Sequence, residues 1–337
     1  MPVPAISPAL SIAMSVYNGA PFLPAAIESI LGQSFGDFEF LILDDGSRDG
    51  SLEIAQSYAQ NDARIRIIHR ENRGLIVSLN ELLTAARAPL IARMDADDIA
   101  MPERFAKQIA FLAANPDYGV VGAMRVNIDE QGAIMAEAGP AYATDHAGFI
   151  AGIGSGSLLC HSAVMMRKDL ALSVGGYHAA FKHCEDLDLW LRMATITQIC
   201  SLPDVLIHYR LSDDQVSKRH VVEQHVGAAF ALAAYRERAG GRADPTAMLT
   251  TLPPIDAADQ LFNRPGTSRE MRQFIVPHIL YSPNALRGDA YAMIGDMLTQ
   301  GGTCPGLWRA VIRLARYGQP ARALGLTTKL LRRAFTG

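Results

Sequence analysis

Three carboxylates fall within four residues at Asp95, Asp97 and Asp98, directly behind the apolar run Pro89-Leu90-Ile91-Ala92. Carboxylates this close repel one another unless a cation neutralises them. Hard oxygen donors of this kind suit Mg2+ or Mn2+ that also holds a substrate phosphate. The plainer reading is a helix start, with Asp98 ahead of Pro102 and Glu103. A second acidic group, Asp44-Asp45, follows the apolar run Phe38 to Leu43, and a third, Glu185-Asp186-Leu187-Asp188, opens a helix whose Leu187, Trp190 and Leu191 share one face. Acids at that helix start either complement the positive end of its dipole or hold one ionised base beside a substrate hydroxyl. His161, alone among apolar residues, reads first as a hydrogen-bonded core histidine and second as a catalyst.

The elements that position these groups alternate. Strand candidates at Leu10–Met14, Phe38–Leu43, Ile65–Ile68, Pro89–Ala92 and Tyr118–Gly122 are separated by helical patterns, which predicts parallel pairing with right-handed crossovers over residues 8 to about 125. The loops at Tyr17-Asn18-Gly19, Asp45 and Asp95 all leave carboxyl ends of strands, where open α/β sheets bind ligands. Neither a Walker pattern nor G-x-G-x-x-G follows the first strand, which argues against a P-loop NTPase and a dinucleotide dehydrogenase. Residues 126–158 are poorly periodic, with a Gly/Ser-rich loop at 152–157 that could serve as a lid, and Leu158–Arg167 reads as extended. Residues 240–254 read as a linker, and helices resume near Ser268.

With these pieces in order, residues 10–217 resemble the family 2 glycosyltransferases. The resemblance rests on Ser15-Val16-Tyr17-Asn18, Leu43-Asp44-Asp45-Gly46-Ser47, Asn72-Arg73-Gly74, and Met94-Asp95-Ala96-Asp97-Asp98 with Pro102 and Arg104. Beyond these stand Gly175-Gly176-Tyr177, Glu185-Asp186-Leu187-Asp188-Leu189-Trp190, and Tyr209-Arg210 with Ser217. It implies an α/β GT-A fold, a doubly wound and mostly parallel sheet forming a catalytic domain at 1–217, with a helical C-terminal extension at 218–337. It also implies an inverting transfer from a nucleotide sugar, with UDP-sugars first in line, to a hydroxyl of a saccharide or lipid-linked oligosaccharide in surface polysaccharide biosynthesis. By resemblance Ser15, Tyr17, Asn18 and Asp45 bind the nucleotide, with Arg73 nearby. Asp97 ligates Mn2+ or Mg2+, and Asp95 contacts the ribose or the metal. The base is Asp186, with Glu185 as the close alternative. Relatives often carry His two residues after the Tyr-Arg pair; here Ser212 stands there and His208 precedes Tyr209. The competing functions are a non-catalytic nucleotide-sugar-binding module and a nucleotidyltransferase that makes nucleotide sugars. The latter would want a Gly-rich basic loop after the first strand.

Composition sets the remaining bounds. The 337 residues are 49% apolar and 19% charged with net charge −3, ordinary globular values that give no case for nucleic-acid binding. Residues 305–337 hold seven Lys/Arg and no acid, which leaves −10 on residues 1–304 once that +7 is taken from the total of −3. In this tail Trp308, Val311, Ile312 and Ala315 share one helical face beside Arg309, Arg313 and Arg316. Such a helix either lies on anionic membrane or packs on the domain with a solvated basic face. Four cysteines without metal or disulfide spacing, no leader-like N-terminus and no run long enough to span a bilayer predict a cytoplasmic protein with at most peripheral membrane contact.

Overall fold

The computed structural model describes residues 7–212, 220–288 and 290–336. Ser217 of the sequence pattern lies outside them. The chain forms two compact units, one of residues 1–178 and 189–212, the other of residues 179–188 and 213–337.

The first unit is a mixed sheet covered by helices. Its strands are β1 Leu10–Val16, β2 Phe38–Asp44, β3 Ile65–His69, β4 Leu90–Asp95, β5 Ile99–Ala100, β6 Tyr118–Ile128, β7 Ile134–Ala138, β8 Met165–Arg167 and β9 Gln198–Arg210, in spatial order β3-β2-β1-β4-β8-β6-β9-β5 with β7 on β6. β3, β2, β1 and β4 are all parallel, whereas β8 is antiparallel to both β4 and β6. β1 and β2 read as continuous apolar runs because helices cover both faces, and their apolar side chains are almost wholly buried. Helix α1, Leu23–Leu31, buries Leu23, Ala26, Ile27 and Ile30, the i, i+3, i+4, i+7 stripe of an amphipathic helix. Helices α2, Ser51–Ala59, and α3, Leu75–Ala85, complete the β2 and β4 crossovers.

Two expectations need correction. The Leu158–Arg167 stretch is not one strand: only Met165–Arg167 pairs, after a 3-10 turn at His161–Ala163. Val164 O still accepts the Arg93 N–H of β4 at 2.9 Å, and carbonyls around the turn also take donors from side chains of α4, Arg104–Ala114. Gln108 Nε2 donates to Ala163 O at 2.7 Å, and Arg104 Nη2 to Arg93 O at 2.7 Å and Val164 O at 3.3 Å. Burial pushes the Arg104 pKa down to about 9. The poorly periodic region after Gly122 also holds structure. β6 continues to Ile128 and turns into β7 around Asp129, whose carboxylate accepts the Gln131 and Ala133 N–H groups.

The second unit is helical. The helix Val221–Ala239 buries every residue from Gly227 to Ala234. A Cβ at Gly227 would stand 2.2 Å from Cys184 Sγ, so the helix backbone touches that thiol. The helices Thr267–Ile279, Ala290–Thr299, Leu307–Arg316 and Pro320–Thr336 enclose a core that includes Val276, Leu286, Ile294, Leu314 and Leu326. No helix among the described residues is long and apolar enough to cross a membrane.

The loop after β2 depends on one glycine. Gly46 has φ +77°, and a Cβ there would meet Asn72 N at 2.7 Å; Gly132, at φ +86°, faces open space. Gly132→Ala therefore carries only the left-handed strain of about 1 kcal/mol, whereas Gly46→Ala adds a backbone collision and costs more than about 2 kcal/mol. Equal losses for the two in urea unfolding would contradict this account of the loop.

Candidate active site

β1 is the switch point of the parallel half, with β2 on one side and β4 on the other. The register sets Ser15 level with Leu43 and with Asp95, so the three loops leave the sheet side by side. The first two are tied together. Asn18, at φ +53°, donates its N–H to Ser47 Oγ at 2.9 Å and accepts the Arg48 N–H at 2.8 Å. The Ser51 hydroxyl accepts the Gly19 N–H at 3.0 Å, and Asp49 accepts the Ala20 N–H at 3.0 Å. Tyr17 is left 54% exposed above them.

Asp45 is buried and its carboxylate is fully engaged. It accepts the Arg73 N–H and the Gly74 N–H, each at 2.9 Å, and pairs with the Arg70 guanidinium. Arg70 in turn bonds Glu81 at 2.7 Å and the Ser78 hydroxyl at 3.0 Å. Asp45 thus shapes the 72–74 turn and presents the Arg73 side chain to solvent. Its neighbour Asp44 is wholly buried. One oxygen accepts the Ser47 N–H at 3.3 Å and lies 2.8 Å from His69 Nδ1, while Oδ1 has no hydrogen-bond partner.

The acidic cluster stands at the end of β4. Ligand oxygens of Asp95, Asp97 and Asp98 lie within 4.8 Å of one another. Asp98 does not cap a helix. α4 begins at Arg104 after Glu103, whose side chain makes no cap bond, and Asp98 Oδ1 instead accepts the Arg210 N–H of β9 at 2.8 Å. The Arg210 guanidinium is spent on the Asp97, Asp129 and Glu130 carbonyls and stacks 4.6 Å over Phe22. Beneath the cluster the buried Arg93 pairs with Asp95; burial alone would lower its pKa, but the Asp95 carboxylate more than offsets this. His161 is a core residue, 2.9 Å from the Tyr177 hydroxyl, and burial with the nearby Arg93 charge holds its pKa well below the usual imidazole range.

The cluster carries the electrostatic signature of a cation site. Burial, then repulsion from Asp95, pushes the Asp97 carboxyl up to about 6. Burial, then Asp97 and Asp95, raises Asp98 well above the carboxylate range. Asp98 Oδ2 is buried without a hydrogen-bond partner. Three hard oxygen donors, one of them unsatisfied, fit a divalent ion such as Mg2+ or Mn2+.

Glu185 and Asp186 belong to the second unit, in the first turn of the helix Glu185–Met193. Glu185 is 7% exposed, and the half-buried Asp186 carboxylate accepts the Leu187 N–H at 2.7 Å. Burial, then the Asp186 and Glu185 charges, raises the pKa of the adjacent Cys184 thiol. Sequence reasoning gave roles to Asp45, Asp95 and Asp97, left Asp98 between the cation-neutralised cluster and a helix start, and gave no role to Arg93 or Asp44. An arginine inside an otherwise apolar strand was the available signal for Arg93.

The model for glycosyl transferase family 2 matches residues 11–171. EpsE of Bacillus subtilis is 39% identical over 189 residues, which span 55% of this chain and 66% of that protein. AmsE of Erwinia amylovora, an amylovoran biosynthesis glycosyltransferase, is 32% identical over 213 residues, 62% of this chain and 79% of the relative. This chain belongs to glycosyl transferase family 2. Among solved structures, S. aureus TarS 1–349 in complex with UDP-GlcNAc matches with TM-score 0.56 at 14% identity, over 96% of this chain and 91% of that one. The mannosyltransferase PcManGT from Pyrobaculum calidifontis, in complex with GDP-Man and Mn2+, matches with TM-score 0.52 at 16% identity, over 99% and 88%. These likenesses show the fold, GT-A, as the family resemblance implied.

A carboxyl held near 6 rather than 3.8 costs the metal-free family member about 3 kcal/mol once both states are ionised. Because the folded pKa is the higher one, that cost is absent below the unfolded value of 3.8, builds up between about pH 4 and 6, and is complete above 6. Asp97→Asn should therefore raise Tm in EDTA by roughly 5 °C at pH 7.5 and by only about a third as much at pH 4.5. Mn2+ should stabilise the unsubstituted protein at pH 7.5 but not the variant. Equal destabilisation by the substitution at both pH values would contradict the assignment.

Proposed function

We propose that this family 2 member is an inverting, divalent-metal-dependent glycosyltransferase that moves a sugar from a nucleotide sugar to a hydroxyl of a saccharide or lipid-linked oligosaccharide. The observation that carries the reading is the Asp95-Asp97-Asp98 cluster at the carboxyl end of β4, level with the β1 and β2 loops. We take a UDP-sugar as the donor, which the UDP-GlcNAc complex of TarS supports; the GDP-Man complex of PcManGT makes GDP-sugars the first competitor. The name of AmsE supports a role in building a surface polysaccharide. The site of action is the cytoplasm, at the inner face of the membrane that carries lipid-linked acceptors.

In this scheme Ser15, Tyr17, Asn18 and the Arg73 turn line the nucleotide, with the exposed Tyr17 ring available to stack on the base. Asp45 acts by fixing the turn, since Arg70 and two N–H groups already occupy its carboxylate. Asp97 and Asp95 would hold Mn2+ or Mg2+, with Asp98 completing the donor set. Such an ion, when bound, supplies Lewis-acid stabilisation of a departing diphosphate. Asp186, with Glu185 beside it, takes the proton of the acceptor hydroxyl as its oxygen attacks the anomeric carbon, through a charge-separated transition state like that of glycoside cleavage. Attack opposite the leaving diphosphate inverts the anomeric centre. We assign the catalytic domain to residues 1–217 and a helical extension to 218–337.

Nucleoside diphosphate release from UDP-, GDP- and dTDP-sugars, with Mn2+ or with EDTA, tests the scheme. Asp186→Asn should slow release roughly 10²- to 10⁴-fold while donor still raises Tm in Mn2+. Asp97→Ala should lose both. Near-full turnover by Asp186→Asn would remove it as the base, and no response to any donor, in turnover or in Tm, would count against the whole reading.

A further inference from the structure

The helix Leu307–Arg316 buries only part of its apolar arc. Leu307, Ala310 and Leu314 enter the core of the second unit. At 100° per residue Val311, Ala315, Trp308 and Ile312 continue the arc away from that core, and Arg316, Arg309 and Arg313 follow them round the helix. Trp308 is 53% exposed and Ile312 55%, and Ala315, Arg309 and Arg316 are exposed with them. A cavity of about 450 Å³, lined by Tyr281, Cys304, Leu307, Trp308, Arg309 and Leu330, extends this open apolar surface past the start of the helix. Arg313 lies 4.2 Å over the half-exposed Tyr281 ring.

Packing alone explains neither feature. The core that this helix shares with Pro320–Thr336 includes neither Trp308 nor Ile312, and a solvated face would not need a tryptophan beside a β-branched aliphatic residue. Seven cations and no acid over residues 305–337 make the hairpin itself strongly positive. Exposed aromatic and aliphatic groups bordered by arginines match the boundary of an anionic bilayer, where apolar side chains sink about 5 to 10 Å and guanidinium groups meet phosphates.

We propose that the Trp308–Ile312 flank of this helix docks the enzyme on an anionic lipid bilayer, with Trp308 and Ile312 at the headgroup–acyl boundary and Arg309 and Arg316 against lipid phosphates. The proposal rests on the reading of the acceptor as membrane-held, but the vesicle-binding readouts that test it need neither donor nor acceptor, so either idea can fail alone.

The chain has two tryptophans, and Trp190 is 1% exposed, so a bilayer-dependent emission change reports Trp308. The full-length protein is mixed with vesicles of phosphatidylcholine containing 30% phosphatidylglycerol, or of phosphatidylcholine alone, at about 50 and 500 mM NaCl. Docking predicts co-sedimentation with the anionic vesicles at low salt only, a blue shift, and quenching by acyl-brominated lipid. Arg309→Glu with Arg316→Glu should lower partitioning at least about tenfold. Trp308→Ser with Ile312→Ser should lower it comparably, and donor hydrolysis without vesicles should be unchanged in both pairs. Three outcomes would overturn the proposal: no binding to anionic vesicles, binding that neither pair weakens, or a lipid-free dimer that the Trp308/Ile312 pair dissociates.

Discussion

The structure of the first unit depends on the mutual repulsion of three aspartates. With ligand oxygens within 4.8 Å of one another, two ionised carboxylates repel by about 3.5 kcal/mol at an effective dielectric of about 20. The fold does not relieve this by separating them. β4 delivers Asp95, the tight turn after it delivers Asp97, and the Arg210 N–H of β9 holds Asp98 in place. The two nearby arginines help only in part: Arg93 pairs with Asp95 from below, and Arg210 directs its guanidinium to backbone carbonyls. The remaining negative charge is what a divalent ion would neutralise, and it turns a cost to the metal-free protein into affinity for the metal-bound state.

Other polar residues near the cluster are occupied with architecture. Asp45 ties the loop after β2 to the 72–74 turn and to Arg70, and Asp49 ties the same loop to the one after β1 through the Ala20 N–H, so the three loops behave as one tied piece. Arg104 and Gln108, buried charge and amide on α4, tie the irregular stretch before β8 to that helix. Fixing loops this way before a ligand arrives lowers the ordering cost of binding.

How much of this was legible depended on whether neighbours in sequence were neighbours in space. The parallel half was legible because β1, β2 and β4 are buried on both faces and read as apolar runs ending in polar loops. The acidic cluster was legible because its members are adjacent in sequence. Asp98 was ambiguous: its partner is an N–H on β9, 112 positions away, and no local pattern separates that from a helix cap. The reach of β6 to Ile128 was missed although Met124, Val126 and Ile128 alternate with Arg125 and Asn127, because the Gly/Ala-rich segment behind it obscured the period. Leu158–Arg167 misled for the opposite reason: its apolar content reflects burial, but a 3-10 turn at His161–Ala163 interrupts it before the short strand β8.

In the proposed scheme the Asp95-Asp97-Asp98 cluster binds one divalent ion together with the donor's diphosphate. Its most direct test is electron paramagnetic resonance of free Mn2+ titrated with protein, with and without UDP or GDP, for the unsubstituted chain and for Asp97→Ala. The account predicts one bound Mn2+ per chain, held more tightly when the nucleotide is present, and loss of that site in the variant. Mn2+ that stays free under all these conditions, or binds equally well to Asp97→Ala, would contradict it.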